Sequence, residues 1–247
     1  MSYQNIFKRY ELKYILTQQQ KAALMKVMQS YMALDDYGRT TIRNIYFDTD
    51  DYRLIRRSID KPVYKEKLRL RSYCRANDDS TVFAELKKKY KSVVYKRRIS
   101  MTEREAMNRI CSKGECAKTS QISEEIDYFL GFYKTLSPKA FISYERQAFY
   151  SLNKSDFRVT FDESILCRQT DLSLKSEIYG APVLSDEYTL MEIKCSGGIP
   201  LWMTEALSHE KIYKTSFSKY GTAYQTLIYP SLQKNYDKKS KESFHYV

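Results

Sequence analysis

Short stretches of strict alternation dominate the chain. FKRYELKYIL (7–16), TTIRNIYFDT (40–49), YKEKLRLRSY (64–73), TVFAELKKKY (81–90), SVVYKRRISM (92–101), KAFISYERQAFYS (139–151), FRVTFDESIL (157–166) and YTLMEIKCSG (188–197) read as strands, because a period of two separates polar from apolar side chains. Helical spacing appears between them. TQQQKAALMKVMQSYM (17–32) lines up Ala23, Val27, Met28 and Tyr31 behind Thr17 as the predicted N-cap. DYRLIRRSI (51–59) predicts a short helix opened by Asp50 or Asp51. TEREAMNRIC (102–111) starts with a capping box, Thr102 with Glu105, and ISEEIDYFLGFYKTL (122–136) follows, capped by Ser123. Pro200 opens a helix through about Glu210, and a last one spans 218–227. Asn77-Asp78-Asp79 predicts a turn. With no repeat and no Pro-, Gly- or Ser-rich linker, the pattern describes one α+β domain over 1–230 and a charged tail over 231–247.

One face of these strands is unusual. It collects Arg9, Lys13, Lys65, Lys67, Arg69, Arg71, Lys87, Lys89, Lys96, Arg98, Arg146, Arg158 and Lys194, against Glu11, Glu85, Asp162 and Glu192. Arg97 breaks the pattern. A sheet face turned to water ordinarily mixes signs, since like charges opposite one another are destabilising. An excess repeated over seven strands fits a sheet that curls, with its greasy face outward under the helices and its basic face around an enclosed bore. The expected architecture is an eight-stranded antiparallel β-barrel tunnel with helices packed outside, wide enough for one small ligand. Confined cations demand an anion with many closely spaced charges, such as a triphosphate or polyphosphate.

Composition agrees. Lys and Arg number 42 against 30 Asp and Glu, a net charge of +12, which calls for an anionic partner. Only two histidines and seven glycines are present, and no GxxxxGK[ST] or GxGxxG occurs. A His-centred triad, a multi-His metal site and a Gly-rich phosphate loop are therefore set aside, and side chains must bind any phosphate. Five cysteines without a CxxC pair point to a reducing compartment, the cytoplasm. No apolar run is long enough to span a membrane. Aromatics fall mostly on the face opposite the cations, which argues against a single-stranded nucleic acid as partner.

The ordered set RYELKY, KLRLR, FAELK, VVYKRR, SYERQAF, RVTFDESI, LMEIK and FSKYG resembles the catalytic domain of the vacuolar transporter chaperone (VTC) family, within the triphosphate tunnel metalloenzymes, over about residues 5–227. The resemblance implies an eight-stranded tunnel that makes inorganic polyphosphate from ATP with Mn²⁺ or Mg²⁺. The hydrolytic branch opens with ExExK, whereas this chain has Arg9-x-Glu11-x-Lys13, which looks like the polymerase branch. The phosphate-sensing domain and membrane helices that accompany the eukaryotic polymerase core are not expected here, so regulation and export would need a partner, such as a membrane protein.

Phosphoryl transfer needs charge neutralisation, in-line placement and a metal. Arg69 and Arg71 are the expected phosphate clamps, because a guanidinium fork grips two oxygens at once. Lys13, Lys87, Arg146, Arg158, Lys194 and Lys219 complete the catalytic cage, with Lys67, Lys96, Arg98 and Tyr144 as further substrate contacts. Glu192 and Glu11 are the expected metal ligands, while Glu85 and Asp162 orient neighbouring cations. Two rival readings remain: a triphosphate hydrolase on the same fold, and a polyphosphate-binding module without turnover.

Overall fold

A computed structural model describes residues 10–91, 93–112, 120–153, 155–234 and 236. In chain order the elements are β1 (Tyr10–Thr17), α1 (Gln18–Met28), β2 (Met32–Asp48), α2 (Arg53–Ile59), β3 (Tyr64–Ser72), β4 (Thr81–Tyr90), β5 (Val93–Thr102), α3 (Glu103–Ser112), α4 (Gln121–Phe132), β6 (Ser137–Ser151), β7 (Arg158–Arg168), β8 (Ala181–Pro182), β9 (Tyr188–Cys195), α5 (Leu201–His209), β10 (Lys214–Thr215) and α6 (Lys219–Ala223). A π-helical turn, Tyr224–Ile228, follows α6 directly. Arg9 and most of the tail from 235 onward lie outside the described residues.

The strands form one antiparallel sheet in the order β10-β1-β9-β7-β6-β2-β3-β4-β5, with β8 on β7. Eight strands are long and two are two-residue additions that period-two reading could not detect. The sheet does not close. No ladder joins β5 to β10 or β1 among the described residues, so the expected barrel is a curled sheet with a seam. Side chains bridge the seam instead: Lys87 Nζ of β4 donates to Glu11 Oε2 of β1 at 3.0 Å.

Alternation works as expected on the outward face. Ile45, Phe47, Leu68, Leu70, Val82, Ala84 and Leu86 pack under α3 and α4 with Ala106, Ile110, Ile126, Phe129 and Leu130. Tyr14, Leu16, Val159, Phe161, Met191 and Ile193 pack under α1 and α5 with Leu24, Met28, Met203 and Leu207. Burial of this kind contributes roughly 1.5–3 kcal/mol per large side chain. Arg97 also points outward, onto Glu125 of α4, which explains its break in the pattern.

The inward face differs from expectation. Only part of it is charged. Ile42, Tyr46, Ile142, Ile165, Cys167 and Leu190 make its other part apolar, and there it takes Ile55 of α2 and Tyr220, Ala223, Tyr224 and Ile228 of the last helix. The last helix is therefore a plug on the inner surface, not an outer layer. Asp48, fully buried, ties plug to wall. It accepts from the backbone N–H groups of Thr49, Leu54 and Ile55 at 2.8–3.0 Å and from the Tyr220 hydroxyl at 3.1 Å. Asp48 and Thr49, rather than Asp50 or Asp51, thus satisfy the first turn of α2. Ser120, not Ser123, caps α4. Thr17 caps α1 as the sequence predicts and adds a capping box with Gln20, and the predicted capping box at Thr102 forms with Glu105.

Candidate active site

Register sets the site. Lys67 of β3 lies opposite Lys87 of β4 and Arg69 opposite Glu85, while Glu85 faces Arg98 of β5 on its other side. Glu85 is buried and gathers four cations. Arg69 donates through Nε and Nη2 at 2.8 and 2.7 Å, Arg98 through Nε at 2.7 Å, Lys96 lies at 2.7 Å and Arg71 at 3.9 Å. Burial alone would raise this carboxyl's pKa, but Arg69, Arg71 and Lys96 outweigh it and hold the group well below the usual carboxylate range. Arg71 is aimed by two neutral partners, Asn44 Oδ1 and the Tyr144 hydroxyl, each at 2.9 Å. Arg69 also donates to the Tyr46 hydroxyl at 3.1 Å.

A second cluster is built by β1, β9, β7, β6 and the start of α6. Asp162, with no exposed surface, takes Arg146 Nε and Nη2 at 2.6 Å each and Lys219 Nζ. Glu192 lies among Lys194, Lys13, Lys219 and Arg146 at 3.2–3.8 Å, yet accepts no hydrogen bond among the described residues. Burial opposes its ionisation, but Lys219, Lys194, Lys13 and Arg146 keep it ionised. Glu11 is held down to about 2 in the same way: burial raises it, Lys87 and Lys13 lower it, and Glu192 pushes back. Arg146 and Lys219 sit over the Tyr144 ring at 5.1 and 4.3 Å. Burial would raise this phenol, but Arg71, Arg146 and Lys219 bring it down to about 8.

The family model described as the VTC domain matches residues 8–228. This chain belongs to the VTC domain family. No curated protein matches it. Among solved structures, a protein from Bacillus halodurans provisionally described as an adenylate cyclase aligns with a TM-score of 0.53 at 14% identity, covering 87% of this chain and 94% of that one. A Vibrio parahaemolyticus protein with the same provisional description gives 0.50 at 11% identity, with 89% and 98% covered. A Hippeastrum protein, provisionally an adenylyl cyclase and described as having a dominant triphosphatase activity, gives 0.52 at 14% identity, with 87% and 94% covered. At these identities the likeness establishes a shared fold.

The VTC domain's inward face brings together Lys13, Lys67, Arg69, Arg71, Lys87, Lys96, Arg98, Tyr144, Arg146, Glu11, Glu192, Lys194 and Lys219. Arg158 shares that face opposite Lys194, but is exposed at its rim. Asn44, Tyr46, Phe83 and Ser218 join the site although sequence reasoning passed over them. Asn44 left one signal: an amide at an inward position of a strand whose neighbours Ile42 and Ile142 are fully buried. Tyr46 and Phe83 add rings to the cation face beside Tyr144, already an expected substrate contact.

No group of three His, Cys, Asp or Glu side chains is placed to hold a metal ion among the described residues. Glu11 and Glu192 nevertheless suit a hard divalent ion that keeps water and substrate phosphates as its remaining ligands. Both are ionised, and Glu192 has lone pairs that no hydrogen bond occupies. Asp162 and Glu85 are already saturated by cations. No helix among the described residues is long and apolar enough to cross a membrane, and Cys74, Cys111, Cys167 and Cys195 are unpaired.

Proposed function

We propose that the domain is a polyphosphate polymerase that transfers the γ-phosphoryl group of ATP to the end of a growing inorganic polyphosphate chain. The observation that carries this reading is the excess of cations over carboxylates on an inward face, with the four carboxylates sharing their cations rather than balancing them. Such a face is completed by a ligand with several adjacent negative charges. Arg69 and Arg71 clamp phosphate oxygens as pre-aimed forks, and Arg146, Lys219, Lys13, Lys194 and Lys87 neutralise the remainder.

In the transfer, a terminal oxygen of the chain forms the new bond to the γ-phosphorus. The bond from that phosphorus to the β-bridging oxygen breaks, and ADP leaves with the electron pair. Glu192 and Glu11 would hold Mn²⁺ or Mg²⁺, which when bound would supply further neutralisation of phosphate charge. The domain's own side chains keep donor and acceptor in line.

Incubation with ATP and Mn²⁺ followed by gel electrophoresis tests the reading. Long acid-labile chains with stoichiometric ADP are expected. Orthophosphate alone would identify a triphosphatase, and tight polyphosphate binding without turnover would identify a binding module.

A further inference from the structure

The inward cations fall into two populations. Arg69, Arg71, Lys96 and Arg98 share Glu85, and Arg146 and Lys219 share Asp162. Further along β3 and β4, Lys87 pairs with Glu11 of β1 at 3.0 Å, but Lys65, Lys67 and Lys89 have no carboxylate partner among the described residues. Lys65 stands directly opposite Lys89, and Lys67 opposite Lys87. Lys65 donates only to the backbone oxygen of Ser58 at 3.0 Å, and Lys67 only to Ser218 Oγ at 3.0 Å. Lys89 has no hydrogen-bond or ion-pair partner among the described residues. Like charges opposed across a ladder repel, and these two successive rows lie about 7 Å apart along the strands. The cost is visible in the ammonium groups. Burial, then Lys65, Lys13, Lys87 and Arg69, push Lys67 down to about 7, and burial, then Lys89, Lys61, Lys13 and Lys87, lower Lys65.

A structural role does not account for a lysine ladder that destabilises its own sheet. The arginine clamps next to it already provide for a triphosphate. We infer that Lys65, Lys67 and Lys89 form a separate polyanion subsite, which holds the phosphate units beyond the reacting ones and makes the domain prefer long chains. This rests on the proposed function above. The ligand is a linear polymer of phosphate, for on the inward face of β3 the cations continue from Arg69 through Lys67 to Lys65, and Lys65 faces Lys89 of β4.

The experiment compares affinities of the full chain for tripolyphosphate and for long-chain polyphosphate at fixed ionic strength. The wild-type protein is compared with Lys65→Ala/Lys89→Ala and with Lys26→Ala/Arg104→Ala, an outer-surface control of equal charge loss. Wild-type protein is expected to prefer the long chain, and the ladder variant to lose that preference by about tenfold while the control keeps it. Lys65→Arg/Lys89→Arg is expected to restore it. An unchanged preference in the ladder variant, or an equal loss for both ligands, overturns the subsite. Wild-type protein that binds tripolyphosphate but not long chains more tightly also overturns it, and leaves the proposed active site standing. Wild-type protein that binds neither overturns both.

Discussion

Glu192 and Asp162 sit on neighbouring strands, yet only one of them has oxygens to spare. Asp162 is saturated by Arg146 and Lys219, whereas Glu192 is surrounded at 3.2–3.8 Å without a hydrogen bond. Glu192→Gln is therefore expected to lower metal-dependent turnover about a hundredfold while polyphosphate binding holds or tightens, measured by ADP release and by polyphosphate titration. Lys67 allows a pH test. An unfolded lysine keeps its proton to about its ordinary 10.5, and folded Lys67 releases it near 7. Between those values the unfolded chain binds more protons, so this residue's penalty is complete below pH 7 and fades as pH rises. Lys67→Met is expected to raise the melting temperature most at or below neutral pH, with the gain shrinking toward pH 10. A gain that grows with pH would contradict it. A polyanion re-protonates the same amine, so wild-type binding near pH 7–8 should take up protons, seen as a buffer-dependent calorimetric heat.

Among the elements, α2 and α6 depend on one carboxylate. Asp48 replaces the missing N-terminal partners of α2 and anchors Tyr220, so Asp48→Ala leaves three buried N–H groups and a hydroxyl unpaired. The expected cost is about 3 kcal/mol, or roughly 6–12 °C in melting temperature by calorimetry. Reading the chain as helices and strands found this helix but not its cap. A side chain that precedes the helix by several residues satisfies it only because β2 ends where α2 turns back. Ser120 in place of Ser123 is a smaller case: both are serines near the start of one helix, and only backbone angles choose between them. The strands fared better, since β4 spans Thr81–Tyr90 and the alternation there admits no other boundary.

At the scale of the whole molecule the seam matters. β5 ends the sheet, and its far edge joins no strand among the described residues. Its outward N–H groups should exchange with solvent well ahead of those in the central β2–β6 ladder, measured by hydrogen–deuterium exchange. Added polyphosphate should slow exchange on β1, β4 and β5 together, because Glu11 and Lys87 link those edges across the bore. The two faces of each strand were determined by the sequence, because a period of two permits no other division. The pooling of positive charge on one face followed from that, and so did the placing of Arg69, Arg71 and Glu192 on that face. Which elements close the sheet, and which helix enters it, only the tertiary structure decided. Alternation states that two faces differ, but carries no information about strand order or curvature. An apolar helix such as 219–228 fits either greasy surface until the packing of Tyr46, Ile142 and Leu190 against Tyr220 assigns it to the inner one.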